Sequence, residues 1–68
     1  MNVFNKVLAD ELNEILKVKS EISIQESRYA AYLAADQPFD VLKEIRMEIK
    51  RLNDKLVMLE RNALKLFN

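Results

Sequence analysis

Residues 42–66 read LKEIRMEIKRLNDKLVMLERNALKL, and within them Leu42, Ile45, Ile49, Leu52, Leu56, Leu59, Ala63 and Leu66 follow at alternating spacings of three and four with no polar residue among them. That spacing keeps side chains on one stripe of an α-helix, so the segment reads as a helix with an unbroken apolar seam. A dry seam of this length needs a partner. The other long periodic segment, about residues 3–35, lies across Asp36-Gln37-Pro38-Phe39-Asp40, a run rich in turn formers. The simplest cover is an antiparallel two-helix hairpin, coiled-coil-like in its packing, within an all-α fold. Residues 1–68 then form a single helical-hairpin domain, with helix 1 over about 3–35, a turn over about 36–39 and helix 2 over about 40–66.

Composition supports the same class by exclusion. Glycine is absent and proline occurs once, so little supplies the backbone angles of tight hairpin turns or phosphate-binding loops. With no cysteine and no histidine, disulfides, thiolate metal sites and the usual general base are all missing. At 68 residues a single core supplies about 3–5 kcal/mol of net stability, and small folds add a staple of some kind. Oligomerisation is the device left.

The 11 Lys and Arg residues balance 11 Asp and Glu residues, so no one-signed field draws nucleic acid or anionic lipid. The longest apolar run, Ala30-Ala31-Tyr32-Leu33-Ala34-Ala35, falls far short of the roughly 20 residues that cross a bilayer. The first residues, Met1-Asn2-Val3-Phe4-Asn5-Lys6, lack the basic region followed by an apolar run of a secretory signal. A cytoplasmic location is the expectation.

In the first segment one position of the seven-residue repeat is always apolar: Met1, Leu8, Ile15, Ile22 and Tyr29. Four residues on stand Asn5, Leu12, Lys19, Glu26 and Leu33. This reading puts Lys19 and Glu26 on the seam, their stems over apolar surface or Glu26 paired with Arg46 or Lys50 as a register lock. Phe4, Val18 and Tyr32, one residue earlier, widen the apolar face. Antiparallel partners have residue numbers summing to about 75, which places Ile22 by Leu52 and Leu33 by Leu42. Helix 2 is expected to start at Pro38 or Asp40.

More apolar surface remains than one hairpin covers. Val57, Leu64 and Phe67, with Met58 adjacent, flank the seam of helix 2, and at the open end they come near Val3, Phe4 and Val7. Beside the seam of helix 1 runs a line of small residues, Ser20, Ser23, Ser27, Ala30 and Ala34, which would let another helix approach closely. The expectation is that two hairpins pair into a dimeric four-helix bundle with twofold symmetry.

Catalytic chemistry finds little support. Glu11 with Glu14, and Glu44 with Glu48, stand one helical turn apart, but the di-metal sites of bundles also use histidine. Ser20, Ser23 and Ser27 have no base to activate them. Tyr29 and Tyr32, after Arg28, look locally like a base-stacking platform, although bundle tyrosines more often pack their rings. No cofactor, metal or small-molecule substrate is implied. The expected function is a non-enzymatic protein–protein interaction module, a small adaptor, assembly factor or helical chaperone that pairs with itself and with another protein through apolar helix faces. The runner-up is a dimeric hairpin that binds structured RNA or DNA through the stripe Lys43, Arg46 and Lys50. A third reading is a purely structural subunit of a larger assembly.

Overall fold

The computed structural model describes residues 3–66, with side chains from residue 6 onward. Two α-helices, α1 (Val3–Ala34) and α2 (Phe39–Lys65), pack against each other as a hairpin. Both are built of strong helix formers uninterrupted by glycine or proline. In α2, Asp40 in the first turn and Lys65 in the last complement the helix dipole.

The turn between them is a local device. Asp36 adopts the left-handed conformation, φ 54°; its N–H donates to the Leu33 carbonyl at 3.2 Å, and the Gln37 N–H donates to the Tyr32 carbonyl at 3.0 Å. These two bonds are the Schellman closure of a helix C-terminus. Pro38 is neither the first helical residue nor free of the helix: it stands at the N-cap, and its carbonyl accepts from Val41 at 3.1 Å and Leu42 at 3.3 Å. α2 thus begins at Phe39, between the two starts expected from sequence.

A non-glycine residue in the left-handed region carries a penalty, smaller for aspartate than for most. Asp36→Gly is therefore expected to stabilise the hairpin by about 0.5–1 kcal/mol, after the added chain entropy of glycine is subtracted. Thermal unfolding followed by circular dichroism should show a midpoint several degrees higher. A lower midpoint would mean that the aspartate side chain contributes more than its backbone angle costs.

The core is one seam. Val18, Ile22 and Leu52 form its centre, with Leu56 and Leu59 packed against them, so partners have residue numbers summing to about 74, close to the register expected of so short a connection. Ile15, Ile45 and Ala63 are also buried, and Leu42, Ile49 and Leu66 are half-buried. Every position of the α2 seam is covered to that degree.

α1 differs from the expectation in one respect. Its constant apolar line, Leu8, Ile15, Ile22 and Tyr29, does face α2, but the companion line lies three residues on, not four: Glu11, Val18, Gln25 and Tyr32 are buried or half-buried, whereas Leu12, Lys19, Glu26 and Leu33 are exposed. The physical reason lies in the middle of the hairpin. Facing the four-residue line inward would set Lys19 and Glu26 against the centre of the α2 seam, while the three-residue line places Val18 there, only 1% exposed. Leu12 and Leu33, towards the two ends, are left in solvent as a result.

The hairpin measures 52 × 17 × 11 Å, with a radius of gyration of 15.8 Å. A compact domain of 68 residues has a radius of about 11 Å, and one of twice that length about 14 Å. No helix among the described residues is long and apolar enough to cross a membrane.

Candidate interaction face

The two broad sides of the hairpin carry different chemistry. On one side an open groove is lined by Gln25, Arg28, Glu44, Ile45 and Glu48. The lines that continue from these residues at seven-residue spacing are charged: Glu14 and Glu21 with Arg28, Arg51 with Glu44, and Lys55 with Glu48. Lys55 Nζ lies 3.6 Å from Glu14 Oε1 across the hairpin, and Arg51 Nε donates to Glu48 Oε2 at 3.0 Å. That hydrogen bond holds the Glu48 carboxyl below its ordinary pKa and raises the Arg51 guanidinium above its own, with the charges of Glu48 and then Glu21 adding to it. Both ion pairs are solvated and contribute little each. Among the described residues the Glu26 register lock does not form, and the ion pair that crosses the hairpin is Glu14–Lys55.

The opposite side is studded with apolar side chains. Two overlapping grooves run along it, the first lined by Tyr29, Arg46, Ile49, Lys50 and Asn53, the second adding Leu33, Phe39, Leu42, Lys43 and Met47 near the turn. Val57 and Leu64 continue the seven-residue line of Lys43 and Lys50 on this side, and Leu12, with Leu16 one turn on, continues the line of Leu33. Seven large apolar residues therefore share one face: Leu12, Leu16, Leu33, Phe39, Met47, Val57 and Leu64. All are about half exposed or more, up to 73% for Phe39. On the charged side the exposed large apolar residues are Val7, Ile24 and Met58.

The residues singled out from sequence fall into this frame unevenly. Val57 and Leu64 sit on the apolar face, whereas Met58 and Val7, though exposed, sit on the other side. Val3 and Phe4 belong to α1, but their side chains, and Phe67 altogether, lie outside the described residues. Ser20, Ser23, Ser27, Ala30 and Ala34 are all exposed along the outside of α1. Lys43, Arg46 and Lys50 do come together, in the groove beside Leu33 and Phe39. Leu33 and Phe39 can be read from sequence as an apolar tip at the turn or as the closing residues of the core, and both are exposed; Leu12, Leu16 and Met47 are the members of this face that the sequence pattern does not single out, Leu12 because its line competes for the seam.

The tyrosines do not form an open platform. Tyr29 and Tyr32 are both half-buried seam residues, and the Arg28 guanidinium already lies over the Tyr32 ring, 5.6 Å from its centroid. Among the described residues no group of three or more His, Cys, Asp or Glu side chains is placed to hold a metal ion. One polar atom stands apart: Glu11 Oε2 is buried with no hydrogen-bond partner. No protein-family model, no curated protein and no solved structure matches the chain.

Proposed function

We propose that the hairpin is a non-enzymatic protein–protein interaction module whose apolar face is completed by self-association into a four-helix bundle. The observation that carries this reading is surface area. The chain exposes 5383 Å² at a mass of 8.0 kDa, whereas a compact monomer of that mass exposes about 4,450 Å². The excess, roughly 900 Å², is close to the 800 Å² or so that each partner buries in a standard protein interface. Seven large apolar side chains on one face supply the surface that such an interface uses, and a patch of this kind marks an association site.

The test is sedimentation equilibrium from low to high micromolar concentration on the native chain and on a Val57→Lys/Leu64→Lys variant. Both positions are at least half exposed in the single hairpin, so the substitutions leave its seam intact. The expected result is a native dimer and a monomeric variant that retains helical circular dichroism. A native chain that stays monomeric and folded across that range would remove self-association and leave the face to a different protein.

The groove that gathers Lys43, Arg46 and Lys50 beside Tyr29 favours a second reading, binding of structured RNA or DNA. Three cations on a neutral chain make a weak, salt-sensitive phosphate contact, and the same groove is lined by Leu33, Phe39, Leu42 and Met47, which suit a protein helix better. Retention of the native chain on immobilised nucleic acid at low salt, lost in Arg46→Ala/Lys50→Ala, would reverse this preference.

A further inference from the structure

The apolar face carries two seven-residue lines flanking the seam, Leu12-Lys19-Glu26-Leu33 on α1 and Phe39-Arg46-Asn53-Glu60 on α2, and every residue in them is exposed. The next step on α2 is Phe67 in the sequence, outside the described residues. Each line has the same property. Reversed end for end, each charge falls on its opposite, Lys19 on Glu26 and Arg46 on Glu60, while Leu12 falls on Leu33 and Asn53 on itself. Among the described residues neither ion pair uses any of these four charged groups.

From this self-complementarity we infer that the face is covered by a second copy of the chain, stacked face to face with its turn at the opposite end, α1 on α1 and α2 on α2. The inference rests on the self-association proposed above and adds its orientation and pairing. The twofold axis crosses α1 midway between Lys19 and Glu26 and crosses α2 at Asn53. In the observed register the α1 crossing lies opposite residues 51–52 of α2, within about two residues, or about 2–3 Å, of Asn53. One axis therefore serves both lines, which two unrelated patterns would not provide.

Neighbouring positions fit the same arrangement. Ser23 and Ala30, which continue the line of Leu16 on this side, are short and exposed, leaving room for a second α1. Lys43 and Lys50 come next to Leu64 and Val57 of the second copy, where their methylene stems cover apolar surface and the ammonium groups reach solvent. The alternative stacking, with both turns at one end and α1 on α2, is poorer: it sets Leu12 against Glu60 and Lys19 against Asn53, and keeps one apolar match, Leu33 with Phe39, and one charge match, Glu26 with Arg46. Opposed charges then select the orientation more than the strength of pairing.

The chain has no cysteine, so introduced thiols report on this geometry directly. Asn53→Cys should form a covalent dimer with itself on mild oxidation, because the axis brings the two copies of that position together within disulfide reach. A mixture of Leu33→Cys and Phe39→Cys chains should stay uncrosslinked between chains, since these positions lie at opposite ends of the assembly, about 40 Å apart along the helices. Crosslinking in the mixture without crosslinking of Asn53→Cys, on chains that sediment as dimers, would overturn the inferred orientation while leaving self-association in place. A native chain that sediments as a monomer would overturn both. As a second readout, Lys19→Glu/Arg46→Glu chains and Glu26→Lys/Glu60→Arg chains should each lose self-association by at least tenfold and pair with each other when mixed. Failure to pair on mixing would count against the charge matching itself.

Discussion

Replacing Leu52 by alanine is expected to abolish the folded hairpin at micromolar concentration. Leu52 is 1% exposed and belongs to the central cluster with Val18 and Ile22. Truncating a leucine at such a site costs about 2–5 kcal/mol, the transfer term of the lost methyl groups plus the cavity they leave. A core of this size supplies only about 3–5 kcal/mol in total, so the loss consumes most of the stability of a single hairpin. The helical circular dichroism signal should fall sharply at 25 °C, and under the proposed self-association it should recover in part at higher protein concentration by mass action. Ile24→Ala is the control. Ile24 has the same kind of side chain but is 55% exposed on the charged side, and its truncation should change stability by no more than about 0.5 kcal/mol. Equal effects at the two positions would mean that the seam described here is not the core.

The degree to which this molecule is legible in its sequence differs between the helices, for a physical reason. In α2 every seam position is apolar, so only one stripe satisfies the pattern, and all eight of its members are buried or half-buried. In α1 two stripes compete. One carries Glu11 and Gln25, the other Lys19 and Glu26, and each holds two or more apolar residues. Periodicity alone does not separate them. What separates them is depth: the middle of a narrow hairpin excludes solvent most completely, so the stripe with Val18 at that point wins even though it draws Glu11 into the interior near the open end.

The same slip of one residue decides the candidate site. Val57 and Leu64 stand out in the sequence as apolar residues beyond the seam, and the structure leaves them exposed on one face. Leu12 and Leu33 look like seam residues until Val18 displaces their line, after which they become part of the surplus face together with Phe39 and Leu16. The turn carries an equally weak signal in the sequence. Its left-handed residue is Asp36, where glycine is the usual signal. The lesson is specific to narrow helical hairpins: a shift of one position on one helix leaves the fold unchanged but exchanges a buried line for an exposed one.

Glu11→Leu is expected to raise stability by about 1–3 kcal/mol, the desolvation penalty of an unpaired buried oxygen together with the apolar burial gained. Glu11 is half-buried on the α1 seam, its Oε2 buried without a partner, at the layer where the register sets it opposite Ala63. A leucine there meets the small, buried Ala63 and extends the stripe from Val18 towards the open end. For a domain of this size the unfolding midpoint should rise by about 4–8 °C for each kcal/mol. Glu11→Ala separates the two contributions: it removes the buried carboxylate without filling the space beside Ala63, and its gain should be the smaller. If both variants melt below the native chain, then the Glu11 side chain contributes more to the folded hairpin than its buried oxygen costs.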